Sequence, residues 1–147
     1  MKKLLSFFFI NSTDSNLGYL LLRVFIGFGI LTHGLPKLQA GPAEWSKLGE
    51  VMTNIGVPGP VVFWGFMAAF SEGVGGLLLI LGAWTTLSAF LIVFTMSTAV
   101  FVFHAADPFA KKEMALLYLF GALTFLLKGA GRFSVDSLLT RYVLHQK

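Results

Sequence analysis

The chain contains no cysteine. That excludes dithiol–disulfide chemistry, iron–sulfur clusters and thiolate metal ligation by its own residues. Charge is scarce as well. Asp, Glu, Lys and Arg make up 12% of the 147 residues, about half the share usual in soluble domains. Mean hydropathy is +0.78. So little charge cannot cover a water-facing surface, and the composition describes one integral membrane domain with no second, soluble one. Basic residues outnumber acidic ones, 11 to 7. They sit at the ends of apolar runs rather than in a stripe with aromatics, which suits anionic lipid headgroups and not nucleic acid.

What is abundant is apolar run. Four stretches, 17–35, 61–82, 87–104 and 113–128, have the length and hydropathy of membrane spans. Pro36 stops the first. The uncharged connection of residues 83–86 makes the second and third a tight antiparallel hairpin. Between the first two spans, Trp45, Leu48, Met52 and Ile55 recur at helical spacing, with Glu44, Lys47 and Glu50 on other faces. That pattern predicts an amphipathic helix lying in the interface. Ser134 is a good N-cap with Asp136 in the first turn, and it opens a second interfacial helix carrying Leu138, Leu139, Tyr142 and Val143 on one face. At the start, Lys2, Lys3 and the run 4–10 imitate a signal peptide, but no small-residue cleavage site follows. They read as a retained interfacial segment, with Asp14 or Ser15 capping the first span. The fold expected is all-α and integral to the membrane: a four-transmembrane-helix antiparallel bundle with interfacial amphipathic helices, one domain over 1–147. Lys2, Lys3, Lys128, Arg132, Arg141 and Lys147 outnumber Lys37, Lys47, Lys111 and Lys112, which places both termini in the cytoplasm.

The run 61–82 is the organising element because it carries a single charge, Glu72, near its middle. A carboxylate at bilayer depth needs a partner, a proton or a water-lined cavity. Ala68, Ala69, Ser71, Gly73, Gly75 and Gly76 surround it, and such small residues let helix backbones approach closely in lipid. Arg23 lies roughly 9 Å and Glu72 roughly 15 Å above the same edge by helical rise, so an Arg23–Glu72 ion pair is the economical expectation. It serves either as a structural pair that fixes helix packing or as a proton relay and substrate anchor. His33 and His104 come out level near the opposite edge, with Lys37 one turn beyond His33 and Glu113 entering from that side. They form a second polar layer. Its readings are boundary histidines bonded to headgroups or backbone, a quinone site, haem with both histidines as axial ligands, or a metal held by both histidines and Glu113.

Taken in order, several motifs match a known family. They are Arg23 with Gly27, His33-Gly34, Lys37-Leu38, Glu72 with Gly75-Gly76, Leu81-Gly82 and His104. Glu113 with Ala115-Leu116-Leu117 and Gly131-Arg132-Phe133-Ser134-Val135-Asp136 complete the set. The chain resembles the DoxX family of small four-helix bacterial membrane proteins. It departs from the family at Thr85-Thr86, where an arginine is expected. Relatives are associated with thiosulfate:quinone oxidoreductase and membrane oxidoreductase complexes. The resemblance therefore implies a quinone-linked redox role in the bacterial inner membrane. On that reading Arg23, Glu72, His33 and His104 carry the chemistry, and His33, Lys37, His104 and Glu113 hold the cofactor. Expected partners are the bilayer, a quinone or other small apolar ligand, an oxidoreductase subunit and a second copy of the chain. The alternatives are a scaffold subunit that recruits a soluble enzyme through its tail, and a small-solute or proton carrier built around Glu72.

Overall fold

The computed structural model describes residues 16–144; the interfacial segment expected at the start and the cap expected at Asp14 or Ser15 lie outside them. Within them the chain is helical: α1 (Asn16–Ala40), α2 (Pro42–Asn54), α3 (Val61–Leu81), α4 (Thr85–Thr98, continued by a π-helical turn Ala99–Phe103), α5 (Phe109–Lys128) and α6 (Val135–Leu144). Three of these, α1, α3 and α4 with its π turn, are long and apolar enough to cross a membrane. α5 is a fourth helix of similar length, but Lys111, Lys112 and Glu113 load its first turns with charge.

α3 is central, with α1, α2 and α4 packed on it, while α5 closes against α4 and α1. The core is Ile26, Ile30, Leu79, Ala89, Ile92, Met96, Leu119, Ala122 and Phe125. Outside it, Phe25, Phe28, Leu77, Leu87, Phe101 and Phe120 are exposed on the outer surface. Apolar residues on both faces of a helix are what a lipid-embedded bundle needs. α1 and α3 approach to backbone contact through small residues. A methyl group at Gly27 would meet the Gly76 carbonyl at 2.9 Å, and one at Gly34 would meet the backbone of Glu72 and Gly73. Residue numbers therefore fall along α3 as they rise along α1, and the two helices run in opposite directions.

Two expectations change here. Pro36 does not stop α1, which runs one turn further to Ala40. Proline costs a helix one backbone hydrogen bond, and a tightly packed neighbour lets the helix continue through it. α2 does not lie free in an interface. It folds back on α3, where Gly49 sits against the Val61 carbonyl and Gly65 against that of Trp45. The Trp45 ring packs edge-on to Phe66 at 5.0 Å, and its indole N–H donates to the Lys37 carbonyl at 2.8 Å.

The α3–α4 turn is pinned by the start of α6. Gly82 ends α3 in the left-handed region at φ 65°, and Trp84 follows at φ 44°, a conformation that costs a tryptophan energy. The Asp136 carboxylate compensates by accepting from the backbone N–H groups of Trp84 (2.8 Å) and Thr85 (2.9 Å). It acts as an anionic cap borrowed from another helix. Ser134 caps α6 as its position predicts, its hydroxyl accepting from Ser137 N at 3.1 Å. Asp136→Ala is expected to cost about 1–2 kcal/mol, read as a lower unfolding free energy in detergent. A neutral result would show that the turn holds itself.

Candidate functional site

Glu72 is only 4% exposed, and its partner is not Arg23. The Lys37 ammonium donates to both carboxylate oxygens, at 2.8 and 2.6 Å. Arg23, 1% exposed, instead donates to the carbonyls of Ala130 and Phe133. It ties the α5–α6 connection to α1. Tyr19 assists, its hydroxyl donating to the Gly129 carbonyl at 2.6 Å while Lys128 sits over its ring at 4.8 Å.

The reason is a stagger that rise arithmetic did not contain. Gly82, not a residue one turn below Glu72, stands beside the Arg23 guanidinium. The first turns of α1 thus run past the hairpin, and Glu72 lies ten residues up α3 from Arg23's level, roughly 15 Å. Lys37 falls within reach because α1 continues through Pro36.

Beside the ion pair lies a cavity of about 410 Å³, within the range of small-ligand sites. α2 contributes Leu48, Val51 and Met52 to one wall, and α4 contributes Phe90, Phe94 and Thr98 to the other. α3 supplies Trp64, Met67, Ser71 and Glu72, with Lys37 from α1, Phe103 from the π turn and His104 directly after it. The lining is apolar and aromatic with a few polar groups. The buried Ser71 hydroxyl and Trp64 indole nitrogen have no hydrogen-bond partner among the described residues. The polar group on the indole edge and the hydroxyl next to Glu72 were not foreseen. Only their seven-residue spacing, which puts both on one helical face, could have drawn attention to them. A second hollow, between Leu21, Phe25, Phe28 and Ile80, is open and apolar and holds no chemistry.

The expected second polar layer divides. Lys37 and His104 line the cavity. His33 is exposed and meets the Tyr118 ring edge-on at 5.9 Å, away from that lining. Glu113 is exposed and makes no ion pair among the described residues. The two histidines therefore do not line one cavity as ligands of a shared group. Among the described residues no three His, Asp or Glu side chains gather to hold a metal. His104 has a companion of its own: its Nδ1 is 2.7 Å from Asp107 Oδ2. Lys111 holds the other Asp107 oxygen at 3.3 Å. The His104 hydrogen bond, then Lys111, keeps the Asp107 carboxyl below its ordinary range.

Apolar helices around a buried ion pair, with a cavity beside it, define a small helical membrane protein. The chain belongs to the DoxX family, whose model matches residues 18–105, a range that takes in Arg23, Lys37, Glu72 and His104. It is also similar to a Haemophilus influenzae protein described as uncharacterized, with 32% identity over 123 residues, 79% of this chain and 86% of that protein. No solved structure matches it.

Proposed function

We propose that the chain is a quinone-binding membrane subunit of an oxidoreductase, with α1, α3, α4 and α5 as four spans of an antiparallel bundle. The observation that carries this is the cavity: aromatic walls for a planar ring and a few polar groups, Lys37, Glu72, Ser71, Trp64, His104 and the hydroxyls of Thr95 and Thr98. A quinone, when bound, supplies two-electron, two-proton redox chemistry. The chain's own part is narrower. Phe90, Phe94 and Phe103 exclude water and flank the ring. Lys37, Ser71 and Trp64 offer hydrogen-bond donors to its oxygens, and Glu72 keeps the Lys37 ammonium in place. Electrons come from a partner redox protein. Along the sequence the terminal segments and the connection after the fourth span carry Lys2, Lys3, Lys128, Arg132, Arg141 and Lys147, against Lys37, Lys47, Lys111 and Lys112 in the other connections, which favours the Arg23 end as the cytoplasmic side of the inner membrane. There α6 rests on the membrane with Leu138, Leu139 and Tyr142 exposed.

Purified protein should carry ubiquinone or menaquinone in its extracted lipids and bind short-chain analogues. Glu72→Gln should weaken that binding about tenfold, the equivalent of ~1.4 kcal/mol, while helix content by circular dichroism stays unchanged. Extracts free of quinone, with no competition by analogues, would overturn the proposal.

A further inference from the structure

The π turn is the least regular piece of α4, and it has a geometric consequence. In an unbroken α-helix His104, five residues beyond Ala99, would lie about 140° around the axis from it. The π turn, closed by His104 N donating to Ala99 O at 2.9 Å, brings the histidine back toward the same side. Ala99, Phe103 and His104 all line the cavity as a result. Such turns occur often at functional sites. The chain then doubles back: Asp107 N donates to the His104 carbonyl at 3.0 Å, and the Asp107 carboxylate reaches the ring's Nδ1. The His104 side chain is 26% exposed and that of Asp107 32%. The pair therefore touches water on one side and the cavity on the other.

We infer that Asp107 is a positioning residue that fixes the proton on His104 Nδ1, leaving Nε2 as the cavity's proton-exchanging atom, at the end of the bundle away from Arg23. A carboxylate on one ring nitrogen selects the tautomer and steadies the ring when it is charged. The step is a proton transfer. A ligand O–H bond breaks as an Nε2–H bond forms, the electron pair stays on oxygen, and the ring becomes an imidazolium beside Asp107. Loss of one proton to water at the exposed edge restores the neutral ring, and the reverse sequence protonates the ligand. Other charged groups facing His104 are Lys37 and Glu72 across the cavity and Lys111 on the far side of Asp107. Lys112 is occupied by the Ala105 carbonyl at 3.1 Å, and α2 adds no titratable group to the lining. The identity of the ligand rests on the quinone reading; the state of the His104 ring does not.

The test is nitrogen-15 NMR of histidine-labelled protein in detergent, with His104 assigned by His104→Gln and no ligand present. In the wild type His104 should be fixed as the Nδ1–H tautomer. Asp107→Ala should give a mixture of tautomers, Asp107→Asn should restore the single tautomer through its amide oxygen, and Lys111→Ala should change nothing. The second measurement is binding of a short-chain hydroquinone from pH 5 to pH 8. Its pH profile should move in Asp107→Ala, with affinity at neutral pH changed threefold or more. An Nε2–H tautomer in the wild type, or an Asp107→Ala spectrum or profile that superimposes on it, would overturn the inference. Absence of hydroquinone binding in the wild type would overturn the quinone reading, and the tautomer would still decide for or against Asp107.

Discussion

Lys37→Met will lower the unfolding free energy in mixed micelles by about 2–3 kcal/mol, and adding Glu72→Leu will recover most of the loss. A buried carboxylate stripped of its partner must protonate or drag in water, whereas an apolar pair of similar volume packs without that penalty. The figure is set below that of a wholly buried pair because the Lys37 side chain is one-third exposed. The informative comparison is with Arg23. If the ion pair were Arg23–Glu72, the coupling energy would appear in the Arg23→Met, Glu72→Leu cycle. With Arg23 on the Ala130 and Phe133 carbonyls, those two substitutions should add within about 0.5 kcal/mol. Coupling of a kilocalorie or more between Arg23 and Glu72, with none between Lys37 and Glu72, would reject the arrangement described.

Among the glycines, Gly34→Ala and Gly76→Ala will each destabilise by about 1–3 kcal/mol or more, while Gly75→Ala will be close to neutral. A methyl group at Gly76 would lie 2.8 Å from the Leu31 backbone nitrogen and 2.9 Å from the Gly27 carbonyl. Helix backbones cannot yield locally, so α1 and α3 would have to separate, and with them Lys37 and Glu72. At Gly75 the nearest atoms are those of the Ile92 side chain, at 3.5 Å, an ordinary contact. The same micelle titrations check this. A Gly75→Ala variant as damaged as Gly76→Ala would mean that the small residues act through helix flexibility rather than close approach.

Much of the fold was legible along the chain because a bilayer leaves few options. Apolar runs must become helices that satisfy their own backbone groups. Gly82, Ser134 and the small residues around Glu72 mark where those helices end or touch. That Glu72 is the central buried charge, and that Lys37 and His104 stand near one level, also followed from spacing. Partner choice did not follow. Rise per residue gives depth along one helix, but not the stagger of two helices against each other. Here Gly27, Gly34 and Gly76 set that stagger by backbone contact, and it carries Arg23 past the hairpin to the α5–α6 carbonyls. Helix rotation was equally hidden: it sends His33 to Tyr118 and Glu113 outward. The local signals that misled were Pro36, overridden by packing, and the stretch after Thr98, where a π turn re-aims His104.

The sequence by itself determined a helical membrane chain with one acidic group deep in its central helix, because hydrophobic length and the cost of a buried charge are local properties. The tertiary structure alone decided that Lys37 neutralises Glu72, that Arg23 braces a distant loop, and that His104 lines a cavity with Asp107 at its Nδ1. Those depend on how far one helix slides and turns against the next, which is set by contacts between residues remote in the chain.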